Sequence, residues 1–146
     1  MLNELIFAFA VAAICAFIHV SCMVYFARWL LKWRLALEQD TGVRKAIFGL
    51  ILVFAILIFL HVGEAALWGW FYYARSLFAN YETSLYFSLT SYTTIGYGDV
   101  VLPQKWRLLG AIEGITGVLL CGLSAGFVFA IVTAIFQIRL VRLSER

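Results

Sequence analysis

Charge is scarce in this sequence. Asp, Glu, Lys and Arg make up only 13% of 146 residues, against 64% hydrophobic residues, and the mean hydropathy is +0.97. An ordinary soluble domain carries about a quarter of its residues as charges, so that class is excluded and a membrane protein is expected. The net charge of +3 is too small to mark a nucleic-acid surface. Proline is almost missing, with Pro103 the one copy, which leaves long stretches free to run as helices that satisfy their own backbone groups in lipid. Short alternating segments are lacking too, and with them the pattern of a transmembrane β-barrel. Cysteine is limited to Cys15, Cys22 and Cys121, an odd number set in apolar runs, where thiols behave as small hydrophobes. The opening Met1-Leu2-Asn3-Glu4 has no basic residue, so a cleaved signal peptide is not expected. Val20-Ser21-Cys22 is followed by more apolar residues and does not read as a lipidation site.

Three apolar stretches are long enough to cross a hydrocarbon core that takes about 20 helical residues: Leu5 to Leu31, Ala46 to Tyr73 and Leu108 to Ile138. The stretch from Ser76 to Arg107 is mixed in polarity and cannot span as a lipid-facing helix. Basic residues set the orientation. Arg28, Lys32, Arg34, Arg44 and Lys45 lie in the first connection and Arg139, Arg142 and Arg146 follow the third span, whereas Arg75, Lys105 and Arg107 are all that the other side holds. The amino terminus and the 76–107 stretch are therefore expected outside, and the carboxyl end in the cytoplasm. Arg28, Lys32 and Arg34 lack the every-third-residue register of a voltage sensor and read as anchors. The Trp33 to Lys45 connection, with Gly42 as a helix stop, makes the first two helices antiparallel neighbours. Trp29, Trp33, Trp68, Trp70, Tyr72 and Tyr73 fit interfacial belts. No repeat is visible, and residues 139–146 leave no room for a ligand-binding domain after the last span.

Between the second and third spans, Asn80 is placed to cap a short helix through Tyr92, with Glu82 in its first turn. About 12 residues reach roughly 18 Å, half a bilayer, so the carboxyl end of that helix points its partial negative charge at the midplane, where a cation is stabilised. Next comes Thr93-Thr94-Ile95-Gly96-Tyr97-Gly98-Asp99. The hexapeptide from Thr94 to Asp99 resembles the filter signature of tetrameric potassium channels, with isoleucine where valine is also used, in which backbone carbonyls take the place of the ion's hydration shell. The resemblance covers roughly Ala46 to Phe136.

The resemblance implies an all-α membrane protein with three transmembrane helices, a re-entrant pore helix and an extended selectivity filter, assembled as a fourfold-symmetric homotetramer in the cell membrane, with a prokaryotic inner membrane expected. On this chain it implies an additional helix at 1–34, a connection at 35–45, a pore domain at 46–138 and a tail at 139–146. Within the pore domain the outer helix takes 46–73, the pore helix 80–92, the filter 94–98 and the inner helix 107–138. Carbonyls of Thr94, Ile95, Gly96 and Tyr97, with Gly98 completing the filter, replace the hydration shell of K+, and Asp99 sits at the outer mouth. Potassium ions in the filter are the only cofactor implied, no nucleic acid is a partner, and no enzymatic activity is expected.

Some positions depart from the family. Tyr86 and Phe87 stand where familiar members place a tryptophan pair that braces the filter tyrosine; Phe87 can pack on Tyr97 but cannot donate to it. Thr90 stands where some members keep a glutamate that pairs with the outer aspartate, and Thr93 precedes the filter threonine. Altered filter inactivation is expected from these replacements. Gly117 matches the hinge glycine of the inner helix, with close packing as the alternative. Val118, Cys121, Ala125, Phe129, Val132 and Phe136 share one stripe that the match turns toward the cavity, with Phe129, Val132 or Phe136 as an apolar gate.

Ionisable residues inside a bilayer are expensive. His61 and Glu64 share a helix face, and Glu113 points away from the cavity stripe, so the three are expected in one cluster behind the filter. A hydrogen-bonded brace and an extracellular proton sensor both fit them. Metal binding is disfavoured, because His61-Val62-Gly63-Glu64 is two ligands short of a tetrahedral site. The lack of a paired-histidine motif likewise argues against an intramembrane metallohydrolase. His19 reads as a satisfied core histidine. A weakly selective cation pore and a non-conducting accessory subunit stay open, as do the gating stimulus and the task of the first helix.

Overall fold

In the computed structural model the backbone is described for residues 2–39 and 43–144, and side chains for 2–29 and 44–137. The described residues form four α-helices: α1 (Leu2–Gln39), α2 (Val43–Ala74), α3 (Tyr81–Tyr92) and α4 (Arg107–Ser144), the last entered through a 3-10 turn at Gln104–Trp106. Three of them are long and apolar enough to cross a membrane, over Leu2–Trp29, Arg44–Ala74 and Gln104–Gln137. The protein is an all-helical membrane-type fold.

Both α1 and α4 outrun their apolar segments. Beyond Trp33 the sequence Arg34-Leu35-Ala36-Leu37-Glu38-Gln39 is made of strong helix formers, so backbone propensity carries α1 past the residues that lipid would select. The same holds for α4, whose helix continues through the positions expected as a tail to Ser144. The expected stop at Gly42 and the side chains of Lys32, Trp33, Arg34, Arg139, Arg142 and Arg146 lie outside the described residues.

Contacts fix the directions of the helices. Phe7 meets Phe71 and His19 meets Glu64, so α1 runs antiparallel to α2. Glu4 meets Lys105, His19 meets Ser124 and Phe26 meets Phe127, so α1 runs parallel to α4. Of its two neighbours, α4 takes the larger share of the packing. The amino end of α1 is also tied to the end of α2, with the Arg75 guanidinium 4.0 Å from the centre of the Phe7 ring.

The inward stripe of α1 runs Glu4, Ala8, Val11, Cys15, His19 and Met23, at helical spacing, while Phe9, Phe17, Val20 and Tyr25 face outward. The polar residues are inside and the large apolar ones outside, the arrangement expected when the solvent is hydrocarbon and helices associate through small or hydrogen-bonding side chains. Trp68 and Tyr72 correct the expected aromatic belt: both are fully buried and pack against Phe71, whereas Trp29, Trp70 and Tyr73 remain exposed. An aromatic on the face shared with Glu64 is claimed by helix packing before it can reach an interface.

Candidate functional site

The short helix α3 begins as its sequence dictates. Asn80 Oδ1 accepts from the Thr83 amide at 2.8 Å, closing an N-cap, and Glu82 lies in the first turn. Its flanks are held close by glycines. A Cβ on Gly69 of α2 would lie 3.0 Å from Leu85 Cα, and one on Gly117 of α4 would lie 2.0 Å from the Tyr92 carbonyl oxygen. Gly117 is thus occupied by close packing in this structure, where the alternative was a hinge.

At its carboxyl end α3 hands over to an irregular segment. The amides of Thr93, Thr94 and Gly96 donate to the carbonyls of Leu89, Ser91 and Thr90 at 3.0–3.1 Å. The segment then takes positive φ at alternate residues: +60° at Thr94, +53° at Gly96 and +80° at Gly98. Glycine adopts this region freely, but a β-branched threonine is held there at a cost of about 1–3 kcal/mol, a strain of the kind that gathers at functional sites. Ile95, Tyr97 and the rest of residues 93–99 are exposed on the single chain. Beside them, Thr90, Ser91, Thr94, Gly114, Ile115 and Val118 line an apolar groove of about 490 Å³ between α3 and α4.

Within the chain, two of the expected supports have these partners. Phe87 packs against Tyr72 and Phe78, at centroid distances of 5.3 and 5.1 Å, and meets the position of Gly110, so within the chain it braces α3 on α2 and α4. Tyr86 donates to Asp99 Oδ2 at 2.7 Å. The Asp99 carboxylate therefore has a phenolic partner on α3, while Thr90 turns its hydroxyl to the Phe87 carbonyl. The Tyr86 hydrogen bond holds the Asp99 carboxyl below its ordinary range, and Asp99 in turn pushes the Tyr86 phenol up. The Thr93 hydroxyl bonds back to the Leu89 carbonyl at 2.6 Å.

Along α4, Val118, Cys121, Ala125, Phe129 and Phe136 are exposed on the single chain and Val132 is half-buried, while Glu113, Thr116, Leu120 and Ser124 are covered by the other helices.

The buried polar residues form two hydrogen-bonded groups where one was expected. Glu113, fully buried, accepts from the Tyr72 hydroxyl at 2.7 Å and contacts Ser88, whose hydroxyl also lies 2.6 Å from the Ala65 carbonyl. The second group gathers round Glu64. Oε1 lies 2.9 Å from His19 Nδ1, and Oε2 accepts from the Tyr92 hydroxyl at 2.5 Å and lies 3.4 Å from His61 Nδ1. Ser124 Oγ lies 3.1 Å from His19 Nε2 and 3.0 Å from His61 Nε2, and Cys121 Sγ lies 4.0 Å from His61 Nδ1. His19 is satisfied, as its sequence context implied, but its partners come from α2 and α4. Glu113 misses the Glu64 group because α2 presents Tyr72 two turns further on, directly opposite it. The only sequence signal for His19 and Ser124 was their polarity in an apolar run.

The ion-channel family model matches residues 46–134, more than half of the chain, and the protein belongs to that family of ion channels. It is therefore an ion-transporting membrane protein, in which the matched part runs from the start of α2 to near the end of α4. Neither a curated protein nor a solved structure matches the chain.

Proposed function

We propose that the protein is a subunit of a homotetrameric, potassium-selective channel in which Thr94, Ile95, Gly96, Tyr97 and Gly98 form one quarter of the selectivity filter and α3 is the pore helix. What supports a potassium filter most directly is the alternation of φ along 94–98 at the end of a helix too short to cross. Backbone that alternates between right- and left-handed conformations gathers its amides on one side and its carbonyls on the other. Four copies then stack carbonyl oxygens of Thr94 to Tyr97 around an axis, with the negative end of each α3 behind them, and a dehydrating K+ exchanges water oxygens for these. Irregular backbone at membrane depth is tolerated where it lines such a water-connected path.

Four chains also account for the exposed surfaces. The groove between α3 and α4 receives a neighbouring subunit, and the Val118 to Phe136 stripe faces the common cavity, with Phe129, Val132 or Phe136 narrow enough in fourfold assembly to gate by dewetting. The extracellular side is that of Asp99 and the amino end of α1, and the carboxyl end of α4 is cytoplasmic, in a prokaryotic inner membrane. α1 covers the pore domain on its lipid side.

The test is flux through liposomes holding only this chain. Potassium efflux is expected, blocked by barium, with a reversal potential in mixed salts that follows the potassium gradient. Equal potassium and sodium permeability would instead identify a weakly selective cation pore, and no flux an accessory subunit. Gly96→Ala, which places a side chain at φ +53°, is expected to abolish selective flux.

A further inference from the structure

We propose that His19, His61, Glu64 and Cys121 bind one divalent transition-metal ion of the zinc type where α1, α2 and α4 meet. The sequence places His61 and Glu64 one turn apart, which by itself is two ligands short. Folding brings His19 from 45 residues away to 2.9 Å from Glu64, and Cys121 from 60 residues away to 4.0 Å from His61 Nδ1. One donor atom from each of His19, His61 and Glu64 lies within 4.8 Å of the others. Tetrahedral ligands at zinc distances of about 2.0–2.3 Å sit roughly 3.3–3.6 Å apart; His19 Nδ1 at 2.9 Å from Glu64 Oε1 and His61 Nδ1 at 3.4 Å from Glu64 Oε2 are near that spacing, while Cys121 Sγ, 4.0 Å from His61 Nδ1 and outside that three-residue group, joins by a rotation of its side chain.

Hydrogen-bond counting is compatible with the metal-bound arrangement. In the metal-free group both Nδ1 atoms face oxygens that take a hydrogen: Glu64 for His19, and for His61 a Tyr92 oxygen whose own hydrogen is given to Glu64. If both imidazoles are neutral with Nδ1 protonated, two Nε2 acceptors compete for the single hydrogen of Ser124, a conflict that one imidazolium paired with Glu64 also removes. With an ion on the two Nδ1 atoms the conflict disappears. Both Nε2 atoms carry their hydrogens, and Ser124 Oγ has two lone pairs to accept them. Tyr92 still donates to Glu64 and orients it. Ring N–H groups donating outward and a hydrogen-bonded carboxylate are the outer shell that metal sites require.

Charge points to a dication. Glu64 and His19 are almost wholly buried in an apolar setting, where an uncompensated charge is expensive. One carboxylate and one thiolate neutralise a 2+ ion, and two neutral imidazoles add none. Binding releases the Cys121 thiol proton. The mixed N, N, O, S donor set suits zinc or cobalt over magnesium or calcium. Entry is open, since Cys121 is exposed on α4 and the His61 side chain is 19% exposed.

The experiment uses the full chain in detergent or nanodiscs, stripped with EDTA and titrated with zinc(II) against a chromophoric chelator and, separately, with cobalt(II). One ion per chain is expected, with a thiolate-to-cobalt charge-transfer band. Cys121→Ser should abolish the band and weaken zinc at least 10-fold, and His19→Gln should weaken zinc about 10–100-fold, the scale seen for losses around metal sites. Cys121 is exposed, so its serine variant keeps the fold, as circular dichroism checks. Binding of less than one zinc per chain at micromolar concentration, or parental affinity in either variant, overturns the site. Neither readout depends on conduction, so this site and the channel reading fail separately.

Discussion

Gly117→Ala separates a packing role from a hinge at the centre of α4. A methyl group there would sit 2.0 Å from the Tyr92 carbonyl oxygen and 2.9 Å from its carbon, which are backbone atoms that cannot rotate away. To reach ordinary van der Waals distance, α4 must retreat from the end of α3 by roughly 1.4 Å. Overpacking typically costs about 1–3 kcal/mol, and an obstacle made of backbone belongs at or above the upper end. Alanine returns about 1 kcal/mol of helix propensity. The expected net loss is about 2 kcal/mol, or roughly 4–8 °C in unfolding temperature for a chain of this size. Tyr92 ends one residue before the 93–99 segment, so flux should fall along with stability. Thermal unfolding of the purified protein, followed by circular dichroism and size exclusion, reads the first effect, and liposome flux reads the second. Gly63→Ala is the control, since a Cβ there meets nothing within 4 Å and should be neutral or stabilising by up to about 1 kcal/mol. A Gly117→Ala protein with parental unfolding temperature and altered opening would refute close packing and restore the hinge.

Tyr86→Phe removes the phenol that keeps the Asp99 carboxyl below its ordinary range, so the carboxylate should take up protons at a higher pH. The midpoint of current loss on external acidification is expected to move upward, with faster filter inactivation; an unshifted midpoint counts against the Tyr86–Asp99 pair. At Glu113, Glu113→Gln keeps a carbonyl for Tyr72 and supplies an NH2 donor to Ser88, and should cost under about 1 kcal/mol, whereas Glu113→Ala takes the carboxylate from the buried Tyr72 hydroxyl, opens a cavity and leaves Ser88 with the Ala65 carbonyl, and should cost about 2–4 kcal/mol. Denaturation midpoints of the two variants that coincide would show that these hydrogen bonds contribute little.

Local features of the chain carried much of the architecture. Apolar runs at 5–31, 46–73 and 108–138 mark the long helices, because a helix in lipid needs only length and apolarity. Asn80 and Glu82 mark the start of α3, because a cap is satisfied within one turn. The Thr94 to Asp99 hexapeptide marks the candidate ion path for the same reason: its conformation depends on glycines at fixed positions. Ends were less well marked, since the helix-forming residues after Trp33 continue α1 whatever the solvent.

Partnerships across helices depend on rotation and register, which no single segment contains. Whether Trp68 meets lipid or protein, whether Glu113 joins Glu64 or Tyr72, and whether Gly117 bends or packs are all decided by which faces of α1, α2, α3 and α4 come together. From the sequence alone come the three membrane crossings, the half-length helix and the segment that follows it, each set by interactions within a few residues. Only the tertiary structure brings His19, His61, Glu64 and Ser124 together, with Cys121 beside His61, because hydrogen bonds and ligand spheres need atoms a few ångströms apart that the chain holds far from one another.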